Sequence, residues 1–317
     1  MKKLLFLLLI TTIANAKNIA IVGLWPLPPI VSLLSDANLT LIPKASYNAM
    51  QHSLIKKYRP GYQKSILANN PNLEELILLN ADLYICGISN IKICQGLKAA
   101  NLNVIELTTN INSYNSKLTL AHWLKELEKH FDISKKSRSI IEYISNIENQ
   151  IQTATTNAKK PKALIIHRID KDNITSGIFN DYLITASGAL NQWGKKQKTS
   201  ISMEEIFVYD PDIIYISNFT QTTPDDIYSK KQWQSINAVK NKRVYKLPMA
   251  SYRPFAPSLD LGLTLLFLAK HNHPDIFMNL NLKDEYEKFY KTFFDISLDN
   301  QDIHMIFNPS IEAAITN

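Results

Sequence analysis

Glycine is scarce in this chain, and its placement removes whole classes of function. Eight glycines occur in 317 residues and no two are separated by a single residue, so a G-x-G-x-x-G dinucleotide fingerprint cannot be written anywhere. No pair of glycines has the spacing of a phosphate-binding P-loop followed by Lys and Ser or Thr. Nucleotide hydrolysis is therefore not expected. The G-x-S-x-G elbow of an α/β hydrolase is missing too, since the Ser-Gly dipeptides are Ser176-Gly177 and Ser187-Gly188. A secreted hydrolase survives only as a rival lacking its motif. Long apolar runs are also absent from the body of the chain. The greasiest stretch, residues 261–269, is bounded by Asp260 and Lys270 and falls far short of the roughly 20 residues needed to span a bilayer. Cysteine is limited to Cys86 and Cys94. In an oxidising compartment such a pair forms a disulfide or remains as two core thiols. A metal site on them is disfavoured because no histidine flanks either one.

The amino terminus carries a signal. Lys2 and Lys3 precede an apolar stretch over residues 4–13, and Ala14-Asn15-Ala16 provides a small-residue cleavage site. We expect export to the periplasm, cleavage after Ala16 and a mature chain that starts at Lys17. Loss of two lysines lowers the net charge from +7 to +5. The remaining lysines are scattered rather than striped, which argues against a nucleic-acid partner. With 45% hydrophobic and 20% charged residues, the composition is that of a folded globular protein.

Short apolar runs alternate with helical periodicity. Residues 18–24, 39–42, 83–86 and 103–107 read as buried strands, and residues 91–100 as a helix between two of them. This alternation argues for a parallel sheet flanked by helices. Residues 134–157 contain neither Gly nor Pro, and Ile140, Ile144, Ile147 and Ile151 recur at helical spacing after Ser134, an expected N-cap. Strand and helix patterns resume with residues 163–167, 182–188, 213–217 and 243–247. The expected organisation is an N-terminal α/β lobe over residues 17–133, a connecting helix over 134–158 and a C-terminal α/β lobe over 159–317. An internal repeat supports two similar lobes. Residues 72–87 (NLEELILLNADLYICG) and 202–217 (SMEEIFVYDPDIIYIS) align without gaps at an offset of 130, matching Glu74 with Glu204, Glu75 with Glu205 and Asp82 with Asp212. Each copy reads as a capped helix, a tight turn and a buried strand.

These stretches, together with WQSINAVKNKRVYKLP (residues 233–248), APSLDLGLTLLFLAKHNHPDIF (256–277) and EYEKFYKTFF (285–294), resemble the substrate-binding proteins of ABC importers for metal chelates. That group handles siderophores, haem and cobalamin and has a molybdate-binding branch. One departure is Ala81, where the family's first repeat has proline. The resemblance implies two Rossmann-like lobes joined by one long helix, a ligand held between them, no catalytic group and no intrinsic cofactor. It also implies an ABC permease as partner, with Glu74 and Glu204 docking onto its arginines. A monomer is expected, and a stiff single-helix linker suggests small closing motions.

Ligands of open α/β units sit at the carboxyl ends of the strands. This nominates Trp25 and Leu27, Lys44 to Tyr47, and residues 87–90 in the first lobe. In the second lobe it nominates His167 and Arg168, Asn218 and Phe219, and Tyr252 and Arg253. An arginine fork matches carboxylates and oxyanions, Tyr252 could bond iron or an oxyanion, and Trp25 and Tyr47 could stack on a planar guest. None of the seven histidines shows paired metal spacing. His271 and His273 fall on different sides of a helix, His122 and His130 are expected to be exposed, and only His167, with His52 weaker, sits at a strand end. A bare cation needs several such ligands. The expected cargo is therefore an iron or nickel complex that arrives chelated. The alternative is molybdate or another oxyanion held by Arg253, Tyr252 and Lys44.

Overall fold

The computed structural model describes residues 16–170, 173–193 and 200–316. Except for Ala16, the expected export signal lies outside the described residues. The first half runs β1 (Asn18–Val22), α1 (Leu27–Leu34), β2 (Asn38–Ile42), α2 (Lys44–Gln51), α3 (Ile55–Tyr58), β3 (Ile66–Leu67), α4 (Leu73–Leu79), β4 (Leu83–Gly87), α5 (Ile91–Ala99), β5 (Val104–Leu107) and α6 (Ser116–Leu127). Its five strands form one parallel sheet in the order β3-β2-β1-β4-β5. Ile19 to Val22 are buried on both faces, as the apolar run requires when helices cover both sides. Pro28 and Pro29 do not stop the chain. They occupy the first turn of α1, where a missing N–H costs nothing, and the helix starts at Leu27.

The connecting helix α7 spans Ser134–Ala154, about 31 Å at 1.5 Å per residue. Ile140, Ile144, Ile147 and Ile151 form its buried stripe. Ser134 is not the N-cap. Ile133 occupies that position with no side-chain cap bond, and its burial in the core sets where the helix enters.

The second half continues with β6 (Ala163–Ile166), β7 (Arg168–Asp170), β8 (Asn173–Thr175), α8 (Asn180–Ala186), β9 (Ser200–Ile201), α9 (Met203–Tyr209), β10 (Ile213–Ile216), α10 (Pro224–Ser229), α11 (Asn237–Lys240), β11 (Val244–Lys246), α12 (Leu261–Asn272), α13 (Leu282–Phe294) and α14 (Asn300–Phe307). A parallel sheet β11-β10-β6 is joined by an antiparallel ribbon β7-β8-β9 that strand–helix alternation did not anticipate. Its strands are two or three residues long, too short for a period to show. The architecture is thus bilobed α/β, with parallel sheets flanked by helices.

The sheets share one core. Ile19 and Ile21 of β1 and Ile213 and Tyr215 of β10 point into a cluster that runs through the α7 and α12 layer, whereas Ala20 and Val22, and Ile214 and Ile216, face separate outer cores. Gly262 permits the close approach of α12 to α7, because a Cβ there would lie 2.6 Å from the Tyr143 ring. Among the described residues, no helix is long and apolar enough to cross a membrane.

The repeat at an offset of 130 residues is structural. Asn72 and Ser202 are N-caps in capping boxes closed by Glu75 and Glu205, an arrangement worth about 1 kcal/mol per cap. Both helices end on a left-handed residue, Asn80 at φ 47° and Asp210 at φ 46°. The following aspartates make the same pair of bonds to the neighbouring strand. The Asp82 carboxylate accepts from Asn18 N–H at 2.7 Å while its N–H donates to Asn18 O at 2.9 Å. Asp212 accepts from Lys162 N–H at 2.9 Å and donates to Lys162 O at 2.8 Å.

Candidate functional site

A cavity of about 440 Å³ opens where strand ends of the two lobes meet. Gly23 to Pro26, following β1, and Thr109, beyond β5, form one side; His167 after β6, Phe219 beyond β10, and residues Gly177 to Phe179 and Phe255 form the other. The walls are mainly apolar and aromatic. A larger groove of about 670 Å³ runs along the seam between His52 and Lys56 on one side and Gln301 and His304 on the other. The strand-end cavity is the better candidate because unpartnered buried polar atoms gather beside it.

Local bonds fix the loops that build it. The buried Asp260 carboxylate accepts from Ser251 N–H and Oγ–H and from Tyr290 Oη–H at 2.6–2.8 Å, which ties down the loop bearing Tyr252, Arg253 and Phe255. Ser176 Oγ–H donates to Ile165 O and accepts from Asn180 Nδ2, holding the turn at Gly177. Gly177 has φ +73°, and a Cβ there would sit 2.4 Å from the Phe255 ring and 3.2 Å from His167.

Arg253 is fully buried. Its Nη2 donates to Ala45 O at 2.6 Å and to Tyr252 Oη at 2.9 Å, while Nε and Nη1 have no partner. The guanidinium lies 4.3 Å from the Phe219 ring centre, 4.9 Å from Tyr252 and 5.9 Å from Trp25. Among the described residues, no carboxylate forms an ion pair with it. A buried cation without a counter-charge costs several kcal/mol, and two idle donors add to that cost. His167 is held between Phe219 and Phe255, with ring centres 4.8 Å from each. Its backbone N–H donates to Thr175 O, and its Nδ1 is buried without a partner. Burial first, then the charges of Arg168 and Arg253, push its pKa down to about 4, so the imidazole is neutral at pH 7.

The structure brings together Trp25, His167, Phe219, Tyr252 and Arg253. Asn218 is buried close by, with Nδ2 donating to Leu247 O and Oδ1 unpartnered. Tyr252 is fully enclosed, and burial raises its pKa, keeping the phenol protonated where it accepts the Arg253 bond. Of the nominated residues, Trp25, His167 and Phe219 line the cavity itself; Asn218, Tyr252 and Arg253 are buried outside its lining, with Arg253 against the Trp25 and Phe219 rings, and Lys44, Tyr47 and Arg168 also lie outside it. Lys44 is exposed at the start of α2, Tyr47 packs edge-on against Tyr62 with ring centres 5.5 Å apart, and Arg168 is exposed on β7. Phe179, Phe255 and Gly177 were not nominated from the sequence. The ribbon that presents Gly177 left no periodic signal, although Phe255 lies only two positions beyond Arg253.

The remaining candidates have other surroundings. Cys86 and Cys94 are buried free thiols that neighbour each other, and Cys94 Sγ–H donates to Asn90 O at 3.2 Å. His271 bonds Phe267 O and His273 bonds Gly188 O. His122 and His130 are half-buried rather than exposed. Among the described residues, no group of three or more His, Cys, Asp or Glu side chains could hold a metal ion.

Residues 32–250 match the family model described as periplasmic binding protein. The chain belongs to the periplasmic binding protein family. The family is a class of non-catalytic transport proteins, and as a member the chain is a periplasmic binding protein that delivers a small ligand to an ABC transporter. A periplasmic solute binding protein from Veillonella parvula shares 28% identity with a TM-score of 0.79, each chain being 92% covered. Helicobacter pylori CeuE, solved as a Ni-His complex, has the same fold at 20% identity and a TM-score of 0.71, with coverage of 91% of this chain and 92% of that one. The molybdate-binding protein MolA of Haemophilus influenzae is 22% identical over 253 residues, covering 71% of this chain and 72% of its own.

Proposed function

We propose that this binding protein captures an anionic metal chelate, an iron or nickel complex, in the cavity between its lobes and passes it to an ABC permease. The observation that carries the reading is Arg253, a buried cation with two idle donors and, among the described residues, no acid partner, set beside an apolar cavity. An anionic guest would supply the missing counter-charge. The neutral His167 ring offers one nitrogen, enough to complete a shell but not to hold a naked ion. A cavity of about 440 Å³ falls in the range of roughly 300–1,000 Å³ occupied by drug-sized ligands, and aromatic walls suit the organic part of a chelate.

Likeness to MolA favours a second reading, a tetrahedral oxyanion. Such a guest needs donors on all sides, and the apolar walls around Trp25, Phe179 and Phe255 supply few. In the delivery step, Glu74 and Glu204 would face the permease as matched acids on a single copy of the protein. Hydrogen bonding at the start of α9, from the backbone first and Ser202 next, holds the Glu204 carboxyl below its usual range and therefore charged. Charges so placed orient a partner and speed encounter more than they tighten it.

A thermal-shift panel of ferric siderophores, haem, nickel–histidine and molybdate tests the reading. Ligand at a hundred times its Kd stabilises by about 2.7 kcal/mol, a shift of several degrees. A shift with a chelate and none with molybdate is expected; the reverse would replace the chelate with the oxyanion.

A further inference from the structure

Non-glycine residues with left-handed backbone occur singly just past helix ends, at Asn80, Asn101, Asp210, Lys242 and Asp295. Between β5 and α6 they occur in succession: Asn112, Ser113 and Tyr114 have φ of 45°, 56° and 62°. Asn115 N–H donates to Ile111 O at 2.9 Å, which closes these residues into one turn of left-handed helix. In that conformation each Cβ crowds the following carbonyl, and residues other than glycine adopt it one at a time. Such strain persists only where the surroundings enforce it. Here the flanks are pinned. Trp123 Nε1–H donates to Thr108 O at 2.7 Å before the turn, and Asn115 Oδ1 accepts from Leu118 N–H at 3.0 Å after it, as the cap of α6. What the turn delivers is the Tyr114 ring. Asn112 and Ser113 are exposed, whereas Tyr114 is half-buried and meets the Phe179 ring of the other lobe edge-on, at 5.9 Å and 88°. Phe179 in turn meets Phe255 at 6.3 Å and 74°, and both line the cavity.

We propose that the left-handed turn Asn112–Tyr114 is a yielding wall of the cavity, and that Tyr114 is the positioning residue that sets the size of guest admitted. Backbone strain and the Tyr114–Phe179 contact oppose one another, so the propped state costs little to leave. While the turn holds, Tyr114 backs the Phe179 ring and the cavity keeps its volume of about 440 Å³. When the turn relaxes to ordinary right-handed backbone, Tyr114 withdraws from Phe179. The backbone beside Phe179 stays fixed, because Asn180 Nδ2 donates to Ser176 Oγ at 2.7 Å, so the Phe179 ring is the part that swings aside. The strain released on relaxing offsets the ring contact that is lost, and a larger guest fits without unfolding the wall. The inference rests on the inter-lobe cavity as the ligand site and is independent of the chemistry of the guest.

The test titrates the full exported chain with two fluorescent dyes, 8-anilinonaphthalene-1-sulfonate (ANS) and its larger dimeric form bis-ANS. Both are anionic aromatics that suit an apolar cavity beside Arg253. Glycine adopts left-handed backbone without penalty, so Ser113→Gly should stiffen the wall and weaken bis-ANS by roughly fivefold or more. Affinity for a guest that needs the relaxed state scales with the population of that state, so Tyr114→Ala should tighten bis-ANS severalfold. Neither change should move ANS by more than about twofold. Tyr114→Phe keeps the ring and should restore wild-type values. In the dye-free protein, the Asn115 amide, whose bond closes the turn, should exchange with solvent more slowly in Ser113→Gly, by roughly fivefold or more, and faster in Tyr114→Ala. Equal effects on both dyes, no binding of bis-ANS by Tyr114→Ala, or unchanged Asn115 exchange in Ser113→Gly would overturn the inference. If Arg253→Met leaves chelate affinity unchanged while the dyes and the exchange behave as expected, the ligand reading fails and the yielding wall stands.

Discussion

Arg253→Met separates a ligand-binding arginine from a structural one. Among the described residues, Nε and Nη1 are buried without partners while Nη2 makes two bonds, to Ala45 O and Tyr252 Oη. Idle buried donors cost about 1–3 kcal/mol each, and bonds from a charged group return about 1.5–3 kcal/mol each, so the two nearly cancel. Stacking on Phe219 and Tyr252 adds on the order of 2 kcal/mol, much of which methionine keeps through its own contacts with aromatic rings. Removing the uncompensated buried charge also relieves a cost of several kcal/mol, so the ligand-free variant should melt no more than a few degrees below wild type, or above it. Binding should behave very differently. Two charge-assisted bonds from the idle donors to an anionic guest are worth roughly 3–6 kcal/mol together, and their loss raises Kd by roughly 10²- to 10⁴-fold. Differential scanning calorimetry and isothermal titration with the best chelate from the panel read both quantities on one sample. A large drop in ligand-free melting temperature with unchanged affinity would make Arg253 a structural residue and remove the basis of the anionic-guest reading.

Three further outcomes are expected. Because burial lowers the pKa of His167 from 6.5 to about 4, the unfolded chain binds the extra proton between those values and the folded chain does not. Stability should thus fall by up to about 3 kcal/mol as pH drops from 6.5 to 4, and His167→Gln should remove that component from a urea-unfolding series. Gly177→Ala should cost about 1–2 kcal/mol through its left-handed backbone alone and weaken ligand binding by driving the Phe255 ring from its place; an unaltered affinity would exclude that ring from the site. Cys86 and Cys94 should resist thiol reagent in the native protein and both react in denaturant without reductant, whereas no reaction in denaturant would mean a disulfide.

Features encoded locally were legible in the sequence. The repeat could be read because a capping residue, a glutamate three positions on, a left-handed turn and an aspartate all act within a few residues of one another. The isoleucine stripe of α7 was legible for the same reason, although burial of Ile133 moved the cap by one residue. Trp25 and His167 could be nominated because the end of a strand is itself a local feature. What the strand-end rule cannot supply is direction. Arg168 follows His167 directly, yet His167, between β6 and β7, lines the cavity while Arg168, the first residue of β7, is exposed. Lys44 and Tyr47 likewise sit on a helix whose inward face is set by packing against the other lobe. The burial of Arg253, with its pairing to Ala45 O from 208 positions away, is a property of the folded molecule alone. So are the roles of Phe255, on the loop that Asp260 ties down, and of Gly177, presented by a ribbon too short to leave a period.

The most direct measurement is anomalous diffraction from crystals of the protein loaded with the ferric or nickel chelate that gives the largest thermal shift. The account places the metal inside the cavity bounded by Trp25, His167, Phe219 and Phe255, with an anionic group of the chelate facing Arg253. A metal peak in the groove beside His52 and His304, or a cavity filled by a guest that leaves Nε and Nη1 of Arg253 still unpartnered, would contradict it.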